Sequence, residues 1–90
     1  MRCEEKIPNG KLVCIEVWEK DGLAERVKIT GDFFLHPEES ITLLEESLKG
    51  MPLKADEAEI ERKLRVALGI SQLIGVSTTD LARIFKKAVS

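Results

Sequence analysis

The chain has 90 residues and a mass of 10.1 kDa, room for one small domain whose stability margin is thin, because it buries only about 60% of its unfolded surface. Leu, Ile, Val and Phe make up 28 of the 90 residues, above the roughly 20% below which chains stay disordered, so this one is expected to fold. A net charge of −2 argues against a general nucleic-acid binder; the lack of an apolar run near ~20 residues argues against a membrane span, and a charged start without an apolar core predicts a cytoplasmic location.

The first third predicts strands. Arg2 to Ile7 has a mixed pattern suited to an edge strand. Pro8-Asn9-Gly10 supplies a turn that pairs Glu5 with Val13 and Cys3 with Ile15. Leu12 to Trp18 is β-branched and alternating, and Val27 and Ile29 continue the period of two after Asp21-Gly22. A two-residue Asp21-Gly22 loop would place Val27 opposite Glu16. A type I turn with Gly22 in the bulge position would instead pair Val27 with Ile15, Ile29 with Val13, and set Glu16 beside Arg26. The second register gathers Val13, Ile15, Val27 and Ile29 on one buried face and is preferred for that reason.

The remainder predicts helices. Pro37 suits a first helical position, with Glu38 and Glu39 at the positive end of the dipole. Ile41, Leu44 and Leu48 form a stripe that ends at Gly50. Asp56 and Glu59 have capping-box spacing before Ile60, Leu64, Ala67 and Leu68, and Gly69 stops that helix. Ser77 to Asp80 offers another cap before Leu81, Ile84, Phe85 and Ala88. Residues 70–76 are apolar and fit a short helical turn as one option. The expected architecture is a single α+β domain over residues 1–90: a three-stranded antiparallel meander followed by about three helices packed on one face.

Charge is unevenly spread. Residues 32–61 carry nine acids and two bases, and residues 62–90 carry one acid and six bases. Such polarity fits either solvated helix faces or a charged docking surface.

A catalytic constellation is missing from the sequence. One histidine, His36, forms no metal cluster and reads as a helix-entry residue. Cys3 and Cys14 lack zinc spacing and fall on opposite sheet faces, so free thiols are expected. The glycines are isolated, with no phosphate-binding loop. One segment exceeds generic design, Gly31-Asp32-Phe33-Phe34. Two adjacent aromatics in an extended chain point to opposite sides, so one fills the core while the other meets something else. Gly31 permits a close backbone approach. The corner is either a tight strand-to-helix junction or a contact surface.

Gly10-Lys11-Leu12-Val13, the Asp21-Gly22 hairpin, Ile29 to Phe34 with Pro37, and Leu48-x-Gly50-x-Pro52-Leu53 occur in one order. Together they resemble the C-terminal accessory domain of lipoate–protein ligases. A chain made of this domain alone resembles the separate small subunit of the archaeal bipartite ligase. The resemblance implies a non-catalytic subunit, required with a large catalytic subunit for ATP-dependent activation of lipoate to lipoyl-adenylate. The large subunit would hold ATP, Mg and lipoate, and would transfer the lipoyl group to acceptor-domain lysines. This chain would bind no cofactor alone and would meet acceptor domains only indirectly, with no nucleic-acid or membrane partner. Gly31, Asp32, Phe33 and Phe34 carry over as a contact or positioning element. The alternative is a non-enzymatic interaction module that docks through its sheet edge and the Phe33-Phe34 corner.

Overall fold

The structure, a computed structural model, describes residues 1–8 and 11–90. The expected turn at Pro8-Asn9-Gly10 lies partly outside the described residues. On either side of it, β1 (Arg2–Lys6) pairs antiparallel with β2 (Leu12–Lys20), Glu5 opposite Val13 and Cys3 opposite Ile15. The first hairpin therefore has the register read from the sequence.

The second hairpin does not. In the pairing of β2 with β3 (Leu23–Gly31), Val17 faces Val27, Ile15 faces Ile29 and Val13 faces Gly31. Trp18, not Glu16, sits opposite Arg26. The loop is the two-residue Asp21-Gly22 form, with positive φ at both residues (55° and 80°), as a type I′ turn requires. That loop alone would have turned Val27 outward. A bulge beside Trp18 and Glu19 adds one residue to β3, so Glu25 and Arg26 both face solvent and Val27 returns to the core. The buried face wins over a uniform ladder, and the correct register adds Val17 to it.

α1 (Ser40–Leu48), α2 (Glu57–Leu68) and α3 (Thr78–Ala88) lie on one side of this sheet. α1 packs on β3, α3 packs on β1 and β2, and α2 lies across α1 and α3. Pro37 does not open α1 directly. Residues 40–42 donate their N–H groups to carbonyls three residues back, so a tight lead-in turn precedes the α-helix. α2 starts at Asp56, whose side chain accepts from the Glu59 N–H at 2.9 Å. α3 has a complete capping box between Ser77 and Asp80.

The core contains the expected Val13, Ile15, Val27, Ile29, Leu44, Leu48, Ile60, Leu64, Leu81, Ile84 and Phe85, with Ile41 half-buried at its margin. Ile7, Val17, Leu35, Met51 and Val76 join them. Cys3 packs against this core from the inner face, and Cys14 lies on the other face; both thiols are free.

An ion-pair cluster ties the first strand to the last helix. Glu5 accepts from Arg83 at 2.6 Å and from Lys87 at 2.7 Å, and Arg83 also donates to Asp80 at 2.9 Å. Hydrogen bonds from Lys87 and Arg83 hold the Glu5 carboxyl below the usual carboxylate range. Partial burial works against ionisation of Asp80, but bonds from Ser77 and Arg83 outweigh it and its pKa is also lowered.

Two expectations follow. Ile15→Ala and Leu44→Ala each remove a side chain with no exposed surface, and urea unfolding should show losses of about 2–5 kcal/mol. Both lowered carboxylates stabilise the fold above their ordinary pKa near 4, and that contribution is lost as pH falls through their folded-state values. The urea midpoint should be flat from pH 7 to 5 and drop below about pH 4, with a smaller drop in Glu5→Gln.

Candidate functional site

The site grows from the end of β3. A Cβ at Gly31 would overlap the carbonyl oxygen of Leu12 on the neighbouring strand, so only glycine lets the two backbones pass. The next residue, Asp32, donates its backbone N–H to that same carbonyl at 2.9 Å. The chain then leaves the sheet sharply. Phe33 turns inward, half-buried against the core, while Phe34 is 62% exposed. One aromatic fills the core and its neighbour faces solvent, as expected of adjacent residues in extended chain.

Phe34 opens a strand rather than a loop. β4 (Phe34–His36) pairs antiparallel with β5 (Gln72–Ile74) in a separate two-stranded sheet. Phe34 faces Ile74, Leu35 faces Leu73 and His36 faces Gln72. His36 is thus a strand residue, not a helix-entry residue. The helical turn offered for residues 70–76 is replaced by β5, whose Leu73 and preceding Ser71 point inward. Ser71 Oγ lies 2.8 Å from Oγ of Ser40, the buried first residue of α1, and this contact anchors the small sheet to the helix.

The outward face of the small sheet is Phe34, His36, Gln72 and Ile74, all exposed. Ile74 is 51% exposed, and Ile70, in the turn between α2 and β5, is fully in solvent. This face carries no Asp, Glu, Lys or Arg in a chain whose residues are 33% charged. At its rim, the Lys11 ammonium stands 6.0 Å from the centre of the Phe34 ring. A shallow cleft of about 320 Å³ runs beside it, bordered by Thr30, Gly31, Phe33 and Ile41. The structure therefore places Phe34 opposite Ile74, which the sequence reading left out, beside the Gly31-Asp32-Phe33 corner. Its signal was the alternation of Gln72 and Ile74, too short to stand alone without a partner strand.

Among the described residues, no three His, Cys, Asp or Glu side chains converge to hold a metal ion. The sequence has no glycine-rich phosphate-binding loop. No helix among the described residues is long and apolar enough to cross a membrane.

No family model and no curated protein sequence matches the chain. A solved structure does: a chain from an archaeal lipoylation system, a bipartite lipoate protein ligase and its E2 lipoyl domain from Thermoplasma acidophilum. The two chains share a fold. The TM-score is 0.78, at 23% identity, over 94% of this chain and 92% of the other. The likeness spans nearly the whole of both molecules, so the small sheet and the three-stranded sheet belong to one common architecture.

Substitutions at the corner should separate its two parts. Gly31→Ala forces the β2 and β3 backbones apart and should cost on the order of 1–3 kcal/mol. Phe33→Ala should also destabilise, whereas Phe34→Ala should stay within about 0.5 kcal/mol of wild type, all read by urea unfolding.

Proposed function

We propose that this chain is the accessory subunit of a two-component lipoate–protein ligase, required with a large catalytic subunit to activate lipoate to lipoyl-adenylate. The observation that carries the reading is the near end-to-end likeness to a chain of similar length in a bipartite lipoate protein ligase system. The Gly31-to-Phe34 motif supports it independently, because the residues that carry the sequence resemblance also form the exposed corner. ATP, Mg²⁺ and lipoate would be held by the large subunit.

In this role the chain acts through its surface. Phe34 and Ile74 would seat against the catalytic subunit, with Gly31 and Asp32 fixing the angle of the corner and Phe33 anchoring it to the core. A face that presents Phe34 and Ile74 and carries no Asp, Glu, Lys or Arg suits a lasting subunit contact, since such interfaces resemble a core cut in half. Once seated, the domain would close over the adenylation site, exclude water and steady a loop of the large subunit.

The test is lipoyl-adenylate formation by the large subunit with and without this chain. Adenylation should require the chain, and the chain alone should form none. Transfer from pre-made lipoyl-adenylate, at saturating acceptor, should need it far less. Phe34→Ala should remain folded, bind the large subunit about thirtyfold more weakly, and fail to support adenylation at low concentration. Equal adenylation rates with and without the chain would defeat the reading and leave a docking module outside any ligase.

A further inference from the structure

β1 is an outer strand of the three-stranded sheet. At the two ends of its ladder, Val17 donates its N–H to the Met1 carbonyl at 2.7 Å and Ile7 donates to the Lys11 carbonyl at 2.8 Å. Residues 1 and 7 therefore turn their backbone groups toward β2. An antiparallel ladder alternates, so Cys3 and Glu5 do the same, while Arg2, Glu4 and Lys6 turn their N–H and C=O groups away from the sheet. No backbone group among the described residues meets them there. Their side chains lie on the open face of the sheet, the one that no helix among the described residues covers.

We infer that this edge pairs with the same edge of a second copy of the chain, antiparallel across a two-fold axis at Cys3, and so joins two sheets into one; the inference stands whether or not the chain serves a ligase. Only registers that set even-numbered residues of β1 opposite even-numbered ones join the free groups. A register centred on Glu4 opposes Glu4 to Glu4 and Arg2 to Lys6, and one centred on Glu5 opposes two Glu5 carboxylates. The register centred on Cys3 opposes Arg2 to the second copy's Glu4 in both directions, each pair exchanging two backbone hydrogen bonds beside opposite charges. The row Glu16, Arg2 and the second copy's Glu4 then alternates in sign across the joined strands. Charges on an edge keep copies apart when they match; these interlock, and the partner's charge is known because it is the same strand. Beneath β1, Glu5 and Asp80 are matched by Arg83 and Lys87, so the helix side brings no net charge to the axis. α3 lies under both β1 and β2, so with strands about 4.8 Å apart the two copies of α3 would stand about 10 Å apart, a normal spacing for packed helices. The joined area is small, which makes the pairing weak and concentration-dependent. The small sheet grows from β3, on the other side of β2, so the two contacts use different strands.

The experiment is sedimentation equilibrium of the full chain in reducing buffer at low salt, from about 1 μM to about 1 mM. Wild type should show a reversible monomer–dimer equilibrium within that range. Arg2→Glu and Glu4→Arg each set like charges opposite one another and should weaken the dimer about tenfold. Both side chains are exposed, so the variants should fold, as circular dichroism would verify. The double variant Arg2→Glu/Glu4→Arg restores opposite charges and should restore the wild-type affinity, and an equimolar mixture of the two single variants should form a mixed dimer. Cys3 provides a second readout. At a close, non-hydrogen-bonded pair the Cα atoms stand about 4.5 Å apart, within the span of a disulfide. The thiol oxidant diamide should therefore cross-link wild type and Cys14→Ser into dimers but leave Cys3→Ser uncross-linked. A chain that stays monomeric up to about 1 mM overturns the inference. So does a dimer indifferent to the single charge changes, a double variant that fails to recover, or a cross-link that runs through Cys14.

Discussion

Gly31 allows the backbone of β3 to pass so close to the Leu12 carbonyl that no side chain fits between them. The ladder can then run one step beyond the strand, through the Asp32 N–H, before the chain breaks away. That point of departure sets which way the next two side chains face. Phe33 falls onto the core and Phe34 onto the surface, and Leu35 drops back inward. A three-residue strand results, and β5 finds in it the partner without which it would have no ladder. The small sheet, its uncharged outer face and the lead-in to α1 all follow from that one close approach.

The other edge of β3 shows a different constraint. An edge strand offers unpaired backbone groups that invite another chain. Here much of that edge is occupied from within. Ala24 donates to the Met51 carbonyl at 2.9 Å and accepts from Gly50 at 2.7 Å, and Leu53 donates to Gly22 at 3.0 Å. Further along, the Ile29 N–H donates to the Glu45 carboxylate at 2.8 Å. The exit of α1 therefore seals one end of the strand and a side chain of α1 caps a donor near the other. Sheet-edge docking, one half of the alternative reading from the sequence, loses most of its room on β3, while β1 forms the opposite edge of the sheet.

How far the sequence could be read depended on the range of the signal. Helix stripes with their own caps, such as Ser77 to Ala88, were legible because the cap and the apolar period lie within one segment. The buried set of β2 and β3 was legible too, because alternation fixes a face without fixing a register. The register itself was not. Turn chemistry at Asp21-Gly22 pointed to a two-residue loop, the apolar pattern pointed away from it, and only an extra residue at the bulge satisfies both. β5 was hidden for a similar reason. Its three residues mean nothing until β4 is placed beside them across 35 intervening positions. The Phe33-Phe34 corner was readable as a split pair, but the partner of Phe34 across the small sheet, Ile74, comes from that distant segment.

The distribution of charge gives the three surfaces distinct physics. α1 and its lead-in, from Asp32 to Leu48, carry acidic residues and no basic ones. The open sheet face carries a basic excess, and the small sheet carries no charge on its outer face. The two signs meet along β3, where Glu45 and Glu46 of α1 border the same cleft as Trp18 and Arg26 and the Glu45 carboxylate accepts from the Ile29 N–H, so at that edge they act on each other as well as on neighbours. A protein approaching the sheet feels attraction if it is acidic, and the same protein approaching α1 is repelled. The uncharged small sheet is nearly indifferent to salt and depends on fit and apolar area instead. A small domain can in this way fix which side faces which neighbour. Its orientation in a complex is written in the alternation of two short β-sheets, and it follows from the same period of two that builds the core.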